Sequence, residues 1–393
     1  MSGKRDELLV VLGMMGRTPF AGVAWQVLHY LEGFRRLGYD VYYVEDTGDW
    51  AYDPEQNSIT ADPTYTVSYI ARLMEWCSQG GRWAYRSAAQ DNCLFGLSEE
   101  RVSRLFEEAS VLVNLTGATV LREEHLQVPV RIYLETDPVL PQIEVAQGNR
   151  FTIEMLSAHT HHFTYGENLG APDCLVPTGR FSYRPTRQPV VLDWWLPPVP
   201  GRQPHASHFT TIASWRQSGK DVEWGGELYT WSKHHEFLKF IDLPRRTSQP
   251  LELALACDDH EALTLLRAHG WRVVDALALS KSIFPYRDYI ATSHGEFTVA
   301  KDQNVRLRSG WFSDRSASYL ASGRPVITQD TAFGNILPTG EGLFAFNTMD
   351  DIVVALDAIS SNYERHSRAA LDIAEQYFKA ETVLARMMDD LEL

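Results

Sequence analysis

Short runs of consecutive apolar residues alternate along this chain with stretches whose apolar positions recur every three to four residues. Leu8–Leu12 is the first run, and it ends at Gly13. Val23, Val27, Leu28, Leu31, Phe34 and Leu37 then follow helical spacing, Gly38 closes the stretch, and Val41–Val44 is the next run. A strand that is apolar throughout is buried on both faces, as in a parallel sheet covered by helices. The order strand, loop, helix, Gly, strand therefore predicts the opening of a doubly wound α/β sheet. Val111–Asn114, Val130–Leu134 and Phe163–Tyr165 extend it. Polar residues follow each run: Asn114 and Thr116, then Glu135, Thr136 and Asp137, then Glu167 and Asn168. The carboxyl edge of an open sheet is where such folds bind ligands.

Residues 197–204 read Pro-Pro-Val-Pro-Gly-Arg-Gln-Pro, a stiff and extended composition. A new α/β pattern starts at Phe209–Ala213 and continues through a strand at Leu251–Ala256, a helix at Glu261–His269 and a strand at Trp271–Val274. Two helices, near 350–360 and 366–378, precede a last one running through Met388. The chain divides on this reading into 1–196, a linker at 197–206, 207–375, and a terminal helix in 376–393.

The stretch 309–331 carries the densest signal. Ser313 or Asp314 can cap a helix whose apolar face is Ala317, Leu320 and Ala321. Gly323 suits the position past its end, where positive φ is wanted, and Pro325-Val326-Ile327 opens a strand. The start of that helix, with Arg315 and Ser316 beside it, is a place to hold a phosphate. Ala321-Ser322-Gly323-Arg324-Pro325-Val326-Ile327 and the later Gly340-Glu341-Gly342-Leu343-Phe344 resemble the donor-nucleotide segment of GT-B glycosyltransferases. Leu37-Gly38-Tyr39-Asp40-Val41 is similar to a recurring piece of their first domain. The resemblance implies two Rossmann-like domains facing a cleft, with the N-terminal one binding acceptor and the C-terminal one binding nucleotide sugar. It also implies a last helix that crosses back to the first domain.

The 393-residue length agrees with two domains. A net charge of −15 argues against a nucleic-acid partner, which would need a basic surface, and serves solubility. The four cysteines are scattered and form no Cys-x-x-Cys pair, which excludes a disulfide framework or zinc ribbon and fits reduced thiols in a cytoplasm. Asp6-Glu7 interrupt Lys4-Arg5 and the short apolar run behind them, so no secretory signal is read, and no run nears the roughly 18 residues that span a bilayer. The loop 13–22 lacks Gly-x-Gly-x-x-Gly spacing, which disfavours a dehydrogenase. Neither the histidines at 159, 161, 162, 234 and 235 nor the pairs Asp258-Asp259 and Asp389-Asp390 have metal-ligand spacing, and the expectation is no metal and no cofactor beyond the co-substrate.

A sugar nucleotide brings phosphate charge into a cleft, and its leaving diphosphate gains more, so fixed cations lower the barrier. Arg216 and Lys220 follow the first strand of the second half, as an Arg and a Lys do in many GT-B enzymes. Lys301, Arg306 and Arg308 precede the phosphate-type helix. Ser313, Arg315 and Ser316 start it. The alternative for these cations is solvation or pairing with Asp302 and Asp314. Asp330 and Thr331 occupy the loop that faces the donor sugar in the family, or else form a turn before Gly334. The paired Glu residues of retaining members are missing: Ser318 stands at the ribose position and Gly310 or Trp311 at the other. The His of the plant-type first loop is missing too. Stereochemistry stays open. An inverting reaction needs a base, for which Asp137 is first, Glu167 second, and His161 or His162 third. Asp137 could instead cap a helix after Pro138. Gly13, Gly16 and Arg17 could let substrate approach the first loop, or the glycines could merely fit its turn. Of Trp194, Trp195, Trp215, Trp224 and Trp231, at most two are expected against ligand. The resulting expectation is transfer of a sugar from a nucleotide-diphosphate sugar to a small molecule, glycan or protein. Rivals are a sugar-nucleotide epimerase of the same fold and a non-catalytic binder of glycan or nucleotide sugar. Donor, acceptor and oligomeric state are left open.

Overall fold

The computed structural model describes residues 7–196 and 207–391. The Pro-rich segment 197–204 lies outside the described residues. The strands are β1 (Leu8–Leu12), β2 (Asp40–Glu45), β3 (Ala51–Asp53), β4 (Ser58–Thr60), β5 (Trp83–Ser87), β6 (Cys93–Gly96), β7 (Val111–Leu115), β8 (Val130–Glu135), β9 (His161–Thr164) and β10 (Tyr183–Pro185). They continue with β11 (Phe209–Ser214), β12 (Val222–Trp224), β13 (Glu227–Tyr229), β14 (Leu251–Ala256), β15 (Arg272–Asp275), β16 (Gly295–Thr298), β17 (Val326–Gln329) and β18 (Leu343–Phe346).

Two large sheets form. The first has the order β10-β9-β8-β7-β1-β2-β5-β6, the second β15-β14-β11-β16-β17-β18. All neighbours are parallel except β5 and β6. The apolar runs are buried on both faces as their composition demands: Leu9, Val10, Val11 and Leu12 are fully enclosed. Each sheet winds outward in one direction and then restarts beside its first strand, between β1 and β7 in one and between β11 and β16 in the other. A crevice opens where the winding reverses, because flanking loops leave to opposite sides. The cleft between the sheets is lined from both of these points.

The helix Asp314–Ala321 ends as its sequence demands. Gly323 has φ +66°, its N–H donates to Leu320 O at 2.9 Å, and the Arg324 N–H donates to Tyr319 O at 2.9 Å. That is a Schellman closure, which a residue with a Cβ makes poorly. The helix Ala380–Asp389 packs on Ala21–Arg36, with Leu384 filling the space that Gly33 leaves. It is separate from the preceding Tyr363–Ile373 helix, which runs into a π-turn at Ala374–Phe378 before the chain bends at Lys379.

One segment stitches the two halves together. Leu307 O accepts from the Leu175 N–H at 2.9 Å, and Ser309 O from the Asn168 N–H at 3.1 Å. The Trp311 ring N–H donates to Thr136 O at 2.9 Å, and Phe312 O accepts from Gln188 at 2.6 Å. Gly310, at φ +79°, lies between them; a Cβ there would sit 2.4 Å from the Asn168 nitrogen. Gly310→Ala therefore meets both the left-handed penalty of about 1–2 kcal/mol and a backbone clash. It is expected to lower the melting temperature by several degrees, checked by calorimetry. Gly219→Ala, at a positive φ in open space, provides a control for the conformational part alone.

Candidate functional site

A cleft of about 780 Å³ opens between the two sheets. Met14, Arg17, Thr116 and Gly117 reach it from the first switch point, and Ala213, Ser214 and Lys301 from the second. Asp137 follows β8, and Asp314 and Arg315 come from the start of the Asp314–Ala321 helix.

Arg17 lines it at the mouth, and four further cations converge there: Lys220, Lys233, Lys301 and Arg315. Arg315 is anchored, donating to Glu296 at 2.6 Å, Ile212 O at 2.5 Å and Thr298 at 2.8 Å. Lys220 and Lys301 lie over the Trp231 ring, 4.5 and 3.1 Å from its centroid. The Lys301 ammonium also bonds Asp137 at 2.6 Å, across the cleft. Lys233 is different. It is buried, faces the Trp311 ring at 5.3 Å, and has no hydrogen bond and no carboxylate within 4 Å among the described residues. Its burial, and the nearby charges of Arg315 and Lys301, push its pKa well below the usual lysine value. Burial likewise lowers that of Lys301.

The carboxylates divide. Burial works against the charge of Asp137, but Lys301, with Lys220 and Lys233 behind it, holds its pKa below the ordinary value. Asp314 has no cation within ion-pair distance among the described residues and accepts only from Gln26, at 3.2 Å; burial raises it to about 6. Glu135 is buried behind Asp137, takes both Gln142 contacts at 2.7 and 2.8 Å and the Thr164 hydroxyl at 2.6 Å, and is raised by burial to about 8. Asp137 does not cap a helix. The cap position is Val139, whose N–H donates to Gln142 at 2.7 Å and whose φ of +95° is strained for a β-branched residue.

The other expected positions scatter. Ser313 takes the cap position and lines the cleft, but its hydroxyl makes no capping bond, which leaves first-turn N–H groups open to a ligand. Ser316 is buried beside the cleft with its hydroxyl unpartnered. Arg216 turns outward to Asp259 at 3.0 Å. Arg306 bonds Leu228 O and Asp302 and pairs with Glu227, and Arg308 pairs with Asp173 at 2.8 Å where the two halves meet. Asp330 accepts from the Ala332 N–H at 2.8 Å, and Thr331 donates to Trp311 O at 2.6 Å. These two close a turn and do not line the cleft. Glu167 pairs with Arg187 at 2.6 Å in a separate groove beside Arg386. His161 contacts Thr160 and His162 contacts Leu156 O, both away from the cleft. Gly13 and Gly16 make room for Tyr43 and Ile70, and the Gly16 and Arg17 amides are taken up by Glu45 at 2.7 and 2.5 Å. In the first loop Met14, Arg17, Thr18 and Phe20 reach the cleft, and Gly13 and Gly16 do not. Of the five tryptophans singled out, Trp231 lines it. Ser318 lines it too, donating to Asp314 O at 3.0 Å.

Lys233 and Asp314 are the residues that the sequence reading missed. The available signal for Lys233 is a misfit: it sits at the start of the helix His234–Lys239, where a cation opposes the dipole. The cluster Asp46, Glu124 and His125 is an ion-pair network. Arg86 and Arg122 already neutralise Asp46, and His125 accepts the Arg122 N–H at 3.0 Å.

No family model and no curated protein matches the chain. Solved structures do. Anabaena HepE, in complex with UDP and glucose, aligns at TM-score 0.55 and 10% identity over 99% of each chain. AviGT4, a glycosyltransferase involved in avilamycin A biosynthesis, aligns at 0.53 and 12% over 98% of this chain and 96% of its own. An α-glucosyltransferase in complex with UDP and DNA aligns at 0.55 and 10% over 99% and 100%. The chain has the GT-B glycosyltransferase fold. The likeness spans both sheets and the intervening cleft. No helix among the described residues is long and apolar enough to cross a membrane.

The GT-B cleft should leave a signature in stability. Folded Glu135 holds a proton up to about pH 8 that the unfolded chain gives up near 4.5. Its contribution is therefore fully present below pH 4.5 and is lost as pH rises through 8. Glu135→Gln, which keeps a partner for Gln142, is expected to flatten the fall in denaturant-measured stability between those limits. An unchanged slope would place the titration elsewhere.

Proposed function

We propose that the protein moves a sugar from a nucleoside-diphosphate sugar to an acceptor held mainly by the first sheet's loops. The observation that carries this is the cluster of Lys233, Lys301 and Arg315 around the cleft, in which the Lys233 ammonium meets no carboxylate within 4 Å among the described residues and opens to the cleft. Like charges held close together repel, and a bound dianion offsets that repulsion. The open N–H groups at the start of the Asp314–Ala321 helix point to the same ligand chemistry. Diphosphate set there gains charge as the glycosidic bond breaks, and cations already fixed around it stabilise that charge without reorganising. HepE and the α-glucosyltransferase are complexed with UDP, which is in keeping with this reading. Asp137 is the base on the acceptor side. A donor phosphate competes for Lys301, and the carboxylate that it releases faces the acceptor. The net charge of −15 disfavours a nucleic-acid acceptor.

The test turns on opposite signs. Lys233→Met removes an uncompensated buried charge, so the free protein should melt at the same temperature or higher. The rise that UDP, GDP or TDP gives the wild type should largely vanish. A variant less stable without ligand, yet with its nucleotide-induced rise intact, would make Lys233 structural. Asp137→Asn is expected to cut turnover by about 10²–10⁴ while nucleotide binding survives or tightens, because Lys301 loses its competitor. Near-normal turnover would remove Asp137 as the base.

A further inference from the structure

A second groove, of about 500 Å³, opens from the mouth of the cleft. It is lined by Phe20, Trp50, Tyr52 and Ile59, with Arg17 and Asp49 at the threshold. Arg17, Thr18, Phe20 and Asp49 line both spaces, so the groove adjoins the cleft and a ligand in it lies beside the cleft mouth. Trp50 is 53% exposed and Ile59 70%, an unusual display of large apolar side chains beside a polar cleft.

The display is built and held. Trp50 stands on the loop after β2, which begins at Asp46. That carboxylate is buried and clamped by Arg86, at 3.0 Å, and by Arg122. The β3–β4 hairpin carries Tyr52 and Ile59. The Tyr52 hydroxyl donates to Asn57 at 2.6 Å, and its ring packs on Phe20 at 5.7 Å between centroids. Arg17 and Asp49 pair at 2.8 Å, but both remain about half exposed and can reach a ligand.

We infer that this groove is a saccharide subsite, in which the acceptor of the transfer proposed above stacks a sugar ring on Trp50. The inference rests on that reading. Three observations choose the occupant. Continuity with the cleft means that it belongs to the reacting ligand. The aromatic faces carry negative quadrupole potential, which attracts the weakly positive C–H face of a sugar ring. The charged pair beside the rings offers a carboxylate acceptor and a guanidinium donor for hydroxyls, which a purely apolar aglycone would leave unused. The surrounding acidity disfavours a polyanion.

The experiment uses the full chain and the donor that most raises its melting temperature. Gluco-, galacto- and manno-configured disaccharides are the acceptor probes, beside a phenol and an oligonucleotide. The expected result is transfer to a disaccharide. Trp50→Ala should raise the acceptor KM by about tenfold or more, the scale of losing one stacking partner. Trp50→Phe should recover most of it. Donor hydrolysis by water should change less than about twofold, since Trp50 lies outside the nucleotide-binding side. Saccharide transfer that is indifferent to Trp50→Ala overturns the proposal. So does product formed only on the phenol or the oligonucleotide while the donor is still hydrolysed. A wild type that neither gains stability from nucleotide nor hydrolyses any donor fails the transferase reading itself, and the subsite falls with it.

Discussion

Everything in the cleft depends on how closely the 307–312 segment passes the first sheet's loops. That approach is a backbone matter. It needs a residue at φ +79° with no Cβ, because the Asn168 nitrogen occupies the space where one would be. Gly310 meets the requirement, and the hydrogen bonds on either side of it fix the path. The chain then leaves directly into Ser313 and the Asp314–Ala321 helix, so the position of that helix start is set by the contact between the halves. The same contact holds the Thr136 carbonyl, one residue before Asp137. A single stitched segment thus brings a helix N-terminus from one sheet and a carboxylate from the other to the two walls of one space.

The charges in that space are arranged against stability. Lys233 has no carboxylate within 4 Å among the described residues, Lys301 has one across the gap, and Arg315 is oriented by Glu296 and Thr298. A protein selected for stability alone would replace Lys233 with an apolar residue of similar shape. Retained uncompensated charge in a solvent-connected cleft is better explained by a ligand that completes it. Arg306 and Arg308 show the contrast. Each is satisfied by a carboxylate of the protein, and each lies at a packing interface.

This contrast also explains what could be read in the sequence. The parallel sheets were legible because central strands such as β1, β7 and β14 are largely apolar, and the end of the Asp314–Ala321 helix because Gly323 and Pro325 announce it. The hairpins β3–β4 and β12–β13 were not, since three-residue strands are too short to show a period. β5 was hidden by Arg86, a charge that its burial beside Asp46 makes compatible with the sheet. Of the residues singled out for a site, Lys220, Lys301, Arg315 and Asp137 line the cleft. Arg216, Arg308, Asp330 and Glu167 do not, because their side chains have closer partners. Which way a side chain on a loop turns depends on neighbours distant in sequence, such as Asp259 for Arg216 and Arg187 for Glu167.

The two cleft aspartates carry the proposed mechanism one step further. Environments that push two carboxyl groups apart in acidity also assign them different roles. Asp314 is raised to about 6 and lacks a cation partner, so it exchanges a proton readily; yet it sits on the helix that would receive the diphosphate, the wrong side for an attacking acceptor. Asp137 is on the right side but is a weak base while Lys301 holds it. Its basicity is therefore tied to occupancy. A phosphate that draws Lys301 away removes the largest of the interactions that lower the Asp137 pKa, leaving Lys220 and Lys233 alone against burial, the opposing influence. The base would strengthen when donor is in place and stay masked when it is absent. The same ion pair that closes the empty cleft would thus keep the protein from activating an acceptor with nothing to transfer.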